Sequence, residues 1–149
     1  MLVVGDADVL VALADPRDEH HTRAMKIFQN LIKQKAEAIF PITAVCEAIR
    51  VLQCKPVVRE GKKVVRPDEA NFLVKKVQTG VFPLLPIDEE IVTKALKIYE
   101  EENFAYSKGN TPFDAIIAAI VKRSQETAVF SFDGVYKRMR LPLAENLFT

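Results

Sequence analysis

The chain has 149 residues, 49% of them hydrophobic and 28% charged, with a formal net charge of +1. That length predicts one domain, 1–149, with room for a real core, and that mixture excludes a disordered polymer. Near-neutrality means that any nucleic-acid contact must come from a local patch, and no apolar run approaches the ~20 residues of a membrane helix.

Leu2 to Val4 reads as a short buried strand, followed by a helix from about Asp8 to Ala14. The run MLVVGDADVLVALAD lacks a basic lead-in and carries Asp6 and Asp8, which argues against a signal peptide. After the Asp15-Pro16 break, a helix from Glu19 to Gln34 is striped by Ala24, Ile27, Phe28 and Leu31. It opens on His20-His21, and neighbouring helical residues diverge too far to chelate one metal ion. Ala38 to Phe40 is a second strand; Thr43 is expected to cap the helix striped by Val45, Ala48, Ile49 and Leu52. Cys46 and Cys54 fall on that helix roughly 12 Å apart, too far for a disulfide, and are expected to be reduced packing residues in a cytoplasmic protein.

The segment Lys55 to Arg66, KPVVREGKKVVR, predicts a basic β-ribbon with a glycine-containing turn. Lys55, Arg59, Lys62, Lys63 and Arg66 oppose only Glu60. The ribbon is either a lysine-protected sheet edge or an arm that contacts RNA phosphates. A helix follows from Pro67, with Asp68 and Glu69 in its first turn. Val81 to Leu85 is a third strand, made irregular or peripheral by Pro83. Asp88 caps a helix that turns Ile91, Ala95 and Ile98 inward. Tyr106 lies in the loop before the last predicted helix, which opens at Thr111-Pro112 and is striped by Phe113, Ile116, Ile117, Ile120 and Val121. Ala128 to Phe132 is the fourth strand. This alternation predicts an α/β fold: a three-layer α/β/α sandwich around a short, largely parallel sheet.

In that architecture Asp6 and Asp133 follow the C-terminal ends of the first and fourth strands. Glu47 lies one turn into the helix after the second, and Asp114 in the first turn of the last helix. Strand C-termini and the following helix N-termini share one edge of such a sheet. Carboxylates ~4 Å apart cost roughly 4 kcal/mol even at an effective dielectric of 20, so clustering them needs a reason. Hard divalent cations such as Mg²⁺ or Mn²⁺ supply one: they take carboxylate oxygens, recruit phosphates and activate water. Each acid also has a plainer role. Asp114 can close a capping box with Thr111, Glu47 can pair with Arg50, Asp133-Gly134 can be a turn, and Asp8 can cap the first helix.

Four stretches together resemble the PIN-domain family. Gly5-Asp6-Ala7-Asp8-Val9-Leu10 resembles its opening motif, and Thr43-Ala44-Val45-Cys46-Glu47 is similar to its second. Thr111-Pro112-Phe113-Asp114-Ala115-Ile116-Ile117-Ala118-Ala119 resembles its D-x-x-x-A-A motif, and Ser131-Phe132-Asp133 its closing one. The resemblance covers nearly the whole chain, and order, spacing and length are similar to the VapC-type toxins of toxin–antitoxin pairs. It implies a Mg²⁺- or Mn²⁺-dependent ribonuclease with Asp6, Glu47, Asp114 and Asp133 as metal-binding catalytic acids. Asp8 and Ser131 would be accessory. It also implies a homodimer and a small antitoxin partner. Val135 stands where many relatives carry a further acid, which weakens a second metal site. Two other readings stay open. Asp6-Ala7-Asp8 also resembles the nucleophile motif of haloacid-dehalogenase-type phosphatases, and a non-catalytic PIN-like RNA-binding module would keep the fold alone.

Overall fold

The computed structural model describes residues 1–147. Its sheet has four parallel strands: β1 (Leu2–Gly5), β2 (Glu37–Pro41), β5 (Leu84–Leu85) and β6 (Thr127–Phe130), in the order β5-β2-β1-β6. β1 is central and buried on both faces, which is why it is a continuous apolar run rather than an alternating one. Pro83 and the two-residue β5 fall at the sheet's edge, where a missing amide donor is tolerated. Gly5 is required by packing, because a Cβ there would lie 2.1 Å from the Phe40 ring of β2.

Helices α1 (Ala7–Ala14), α2 (His21–Lys33), α3 (Ile42–Cys54) and α4 (Pro67–Gln78) supply one face. Val9, Leu10, Leu31, Leu52 and Leu73 bury there against Val3 and Phe40. On the other face, α5 (Glu89–Glu101), α6 (Pro112–Val121) and the short α7 (Val135–Arg138) pack Ile91, Ile98, Ile117 and Tyr136 against Val4 and Val129. The result is the expected three-layer sandwich. The helix α7 was not anticipated, since Val135-Tyr136 after an Asp-Gly turn is too short to show periodicity.

β3 (Val57–Arg59) and β4 (Lys62–Val64) pair antiparallel as the expected ribbon. Its turn holds Glu60 and Gly61 at φ of 54° and 75°, the two positive values a two-residue hairpin of matching twist demands. The local capping expectations held at α5, where Asp88 accepts from the Ile91 amide at 2.9 Å, and failed at α3. That helix starts at Ile42, so Thr43 lies inside it and no side chain caps its start. Both cysteines are exposed rather than packed, because α3 turns Val45, Ala48 and Leu52 inward and Cys46 and Cys54 outward.

Candidate active site

Asp6 is the first residue after β1 and the N-cap of α1. Because β1 lies beside β6, the Asp6 amide bonds the Phe130 carbonyl at 3.0 Å, and Ser131 arrives next to it. The Asp6 carboxylate is buried. Oδ1 accepts the Ala7 amide at 2.7 Å; Oδ2 accepts the Tyr136 hydroxyl at 2.7 Å and lies 3.4 Å from Ser131 Oγ. Burial first, then the neighbouring Asp8 carboxylate, pushes its pKa up to about 8. The Tyr136 hydroxyl and the Ala7 amide pull the other way without winning.

Asp114 reaches the same point from the opposite layer. Thr111 caps α6, and the capping box is complete: the Thr111 amide donates to Asp114 Oδ2 at 2.7 Å while Thr111 Oγ1 accepts the Asp114 amide at 3.4 Å. This leaves Oδ1 facing inward, 3.3 Å from the Tyr136 hydroxyl. Capping and site-building are therefore one geometry here, not competing roles. Burial raises the Asp114 pKa above the ordinary carboxylate range, and Asp133 adds to it.

Asp8 does not cap α1; Asp6 does. Asp8 sits in the first turn and binds the closing loop, accepting the Phe132 amide at 2.8 Å and Ser131 Oγ at 3.1 Å. Burial lifts its pKa despite those bonds. Asp133 is at the exposed rim, held as a turn by Val135, whose amide donates to its Oδ1 at 2.9 Å. Glu47 is half-buried on α3, its pKa raised by burial and then by Asp114, with Lys55 and Arg50 opposing. It lines a groove of about 420 Å³ with Ile42, Thr43, Cys46, Arg50 and Phe113.

The strand ends thus bring Asp6, Asp8 and Asp114 together, with Glu47 and Asp133 close enough to be felt electrostatically. Sequence reasoning missed Tyr136, fully buried, whose hydroxyl touches both central acids. The one available signal was a tyrosine in an apolar pair just after the closing motif. In the ribbon, which the sequence left open between a protected edge and an RNA-contacting arm, the Arg59 and Arg66 guanidiniums turn inward onto the buried Asp15 carboxylate, Arg66 at 3.1 Å. Asp15 lies at the α1 C-terminus, fully enclosed, and a carboxylate there needs cationic partners. Lys55, Lys62 and Lys63 remain exposed. The two histidines diverge as expected: His20 stacks on Phe132, while His21 Nδ1 bonds the Ala12 carbonyl at 2.7 Å.

The PIN-domain family profile matches residues 3–141. The chain belongs to the PIN-domain family. Solved structures share its fold at low identity. VapC20 of Mycobacterium tuberculosis, described as a toxin cleaving the sarcin-ricin loop, aligns at 15% identity with a TM-score of 0.68, covering 93% of this chain and 95% of that one. FitAcB of Neisseria gonorrhoeae aligns at 16% identity and 0.64, covering 99% and 100%. VapBC2 of Rickettsia felis, solved with a fragment of its promoter DNA, aligns at 11% and 0.62, covering 96% and 97%. No curated protein matches the sequence significantly.

In this PIN domain the carboxylate oxygens of Asp6, Asp8 and Asp114 supply the donor chemistry of a hard-cation site. Among the described residues no group of three or more Asp, Glu, His or Cys is placed to hold a metal ion unaided. Mg²⁺ does not require one: it takes one or two protein carboxylates and fills its octahedron with waters and substrate phosphates. Asp6 and Asp114, converging on one hydroxyl, fit that pattern. The phosphatase reading of Asp6-Ala7-Asp8 loses its footing with the family match.

Proposed function

We propose that this PIN domain, taken as one domain over 1–149, is an endoribonuclease that hydrolyses RNA phosphodiester bonds with Mg²⁺ or Mn²⁺. The observation that carries this reading is the meeting of Asp6 Oδ2 and Asp114 Oδ1 on Tyr136, two acids from opposite layers within 2.7 and 3.3 Å of one oxygen. The charged neighbours that raise the Asp6 and Asp114 pKa values are other carboxylates, Asp8 and Asp114 for Asp6 and Asp133 for Asp114, a repulsion that an incoming cation would offset. Asp6 and Asp114 would hold the metal, with Glu47 and Asp133 reaching it directly or through water. The metal, when bound, supplies an activated water and neutralises charge on the scissile phosphate.

The chain's own residues perform the rest. The Tyr136 hydroxyl orients the Asp6 carboxylate by donating to Oδ2. Thr111 fixes Asp114 by taking up its outer oxygen. Ser131 and the Phe132 amide hold Asp8, so the closing loop is tied to the first turn of α1. Exposed Lys55, Lys62 and Lys63 would attract the RNA backbone toward this edge. By likeness to VapC20, VapBC2 and FitAcB, the protein would be a cytoplasmic toxin of a toxin–antitoxin pair, working as a homodimer restrained by a small antitoxin.

The test is cleavage of single-stranded RNA by purified protein with Mg²⁺ or Mn²⁺. Asp114→Asn and EDTA should each abolish it, as should Asp6→Asn, Glu47→Gln and Asp133→Asn to varying degree. Full cutting in EDTA, or by Asp114→Asn, would sink the metal-nuclease reading.

A further inference from the structure

Beside the acids lies an aromatic feature that the hydrolytic chemistry does not use. Phe132, between Ser131 and Asp133, turns inward with its ring edge-on to Phe130, centroids 6.2 Å apart. The His20 imidazole lies flat on it, centroids 4.5 Å apart and planes 19° from parallel. Arg23 reaches the same ring, its guanidinium carbon 5.2 Å from the centroid, and pairs with Glu145. The stack is outward-facing: 40% of the His20 side chain and 54% of the Arg23 side chain remain in solvent.

Its placement is fixed from both sides. Phe132 is tied to the acids by its own amide, which donates to Asp8 Oδ2 at 2.8 Å. His20 is pinned by its backbone: its amide donates to Asp18 Oδ1 at 2.9 Å, and its carbonyl accepts the Ala24 amide at 2.8 Å. An imidazole held flat on the residue that precedes Asp133, with 40% of its side chain in solvent, needs little ordering to receive a planar partner. The chemistry of that partner follows from the surface. A partly exposed imidazole, with Glu19 Oε1 3.5 Å from its Nε2, takes a planar heteroaromatic group on its face, and RNA bases are recognised by stacking on aromatic side chains.

We propose that His20, supported by the Phe132 ring that Arg23 also contacts, is the stacking platform for one unpaired nucleobase beside the scissile phosphate. His20 is thus a substrate-binding and specificity-determining residue, and Phe132 a positioning residue beneath it. The proposal rests on the ribonuclease reading above.

The experiment uses the full chain and a short single-stranded oligoribonucleotide, intact or with one abasic nucleotide moved along it. Binding is measured in the Asp114→Asn background so that nothing is cut, and KM and kcat in the otherwise wild-type protein. One abasic position should weaken binding roughly ten- to a hundredfold, the usual worth of one stacked base. His20→Ala should weaken the intact oligonucleotide by a similar factor and erase the abasic effect at that position alone. It should raise KM far more than it lowers kcat and leave the Mg²⁺-induced rise in melting temperature unchanged. His20→Tyr, which keeps a flat ring, should restore affinity and alter base preference at that position. Equal weakening of every oligonucleotide by His20→Ala, or none, overturns the platform, as does failure of the wild type to bind RNA. Metal-dependent cutting with no abasic position effect sinks the platform and spares the nuclease. A position effect without cutting does the reverse.

Discussion

Tyr136 has one hydroxyl proton and two carboxylates within reach. The shorter contact, 2.7 Å to Asp6, takes it, so the tyrosine helps keep Asp6 ionised in a place where burial favours the neutral acid. Tyr136→Phe should therefore fold normally yet bind Mg²⁺ and cut RNA ten- to a hundredfold less well, about the loss expected when a partner orienting a metal ligand is removed. Titration calorimetry and initial rates would show it; unchanged metal affinity would make the hydroxyl merely a core polar group. Asp6 itself carries a pH signature. Its pKa rises from 3.8 to about 8 on folding, so the native state holds a proton that the unfolded chain has lost. Stability of metal-free protein is then greatest below pH ~4 for this group and falls as pH climbs toward 8. In EDTA, Asp6→Asn should remove most of that decline and melt higher than wild type at pH 8. Each kcal/mol relieved is worth about 2–4 °C at this size. A wild-type melting curve that is flat between pH 4 and 8 would contradict it.

The ribbon and the end of α1 are one mechanical element, because Asp15 is clasped by Arg59 of β3 and by Arg66 just ahead of α4. Burial pushes the Asp15 pKa up, but the Arg17 amide and the Arg66 and Arg59 guanidiniums outweigh it and hold it below the ordinary range. Its contribution to stability is therefore present above pH ~4 and lost only in stronger acid, a window separate from that of Asp6. Asp15→Ala should cost about 3–5 kcal/mol by stranding buried Arg66, measured by urea unfolding. A cost under ~1 kcal/mol would mean the clasp is ornamental. The outward lysines should behave oppositely. Lys62→Ala with Lys63→Ala should leave the melting temperature alone while making the salt dependence of RNA binding shallower by about 1.4 in log–log slope. An unchanged slope would make the ribbon a protected edge only.

At the scale of the whole molecule, both helical layers converge on the same sheet edge: Asp6 follows the central strand and Asp114 opens α6 on the opposite layer from α3 with Glu47. A cation held there would join the layers, so Mg²⁺ at ~100 times its dissociation constant should add roughly 2.7 kcal/mol to unfolding. Asp6→Asn should respond much less. Identical melting curves with and without Mg²⁺ would mean that the acids do not act as one site.

The amino-acid sequence by itself determined the strands and the longer helices, though not α7, and the edge on which the acids lie. Strand runs, helical stripes, the Thr111–Asp114 capping box and the Glu60-Gly61 turn are local patterns, legible over a few residues. An acid at a strand end or in the opening turns of a helix is local too, which is why Asp6, Glu47 and Asp114 could be named as candidates without coordinates. Tertiary structure alone decided what those acids touch. The pairing of β1 with β6 spans more than a hundred residues, and it delivers Ser131 and Phe132 to Asp8 and Tyr136 to Asp6. The same holds for Arg59 and Arg66. In sequence their charges fitted either a solvated edge or an RNA-facing arm; the burial of Asp15, invisible in sequence, turns both inward. A buried charge recruits its partners through space, and no spacing along the chain encodes which ones will come.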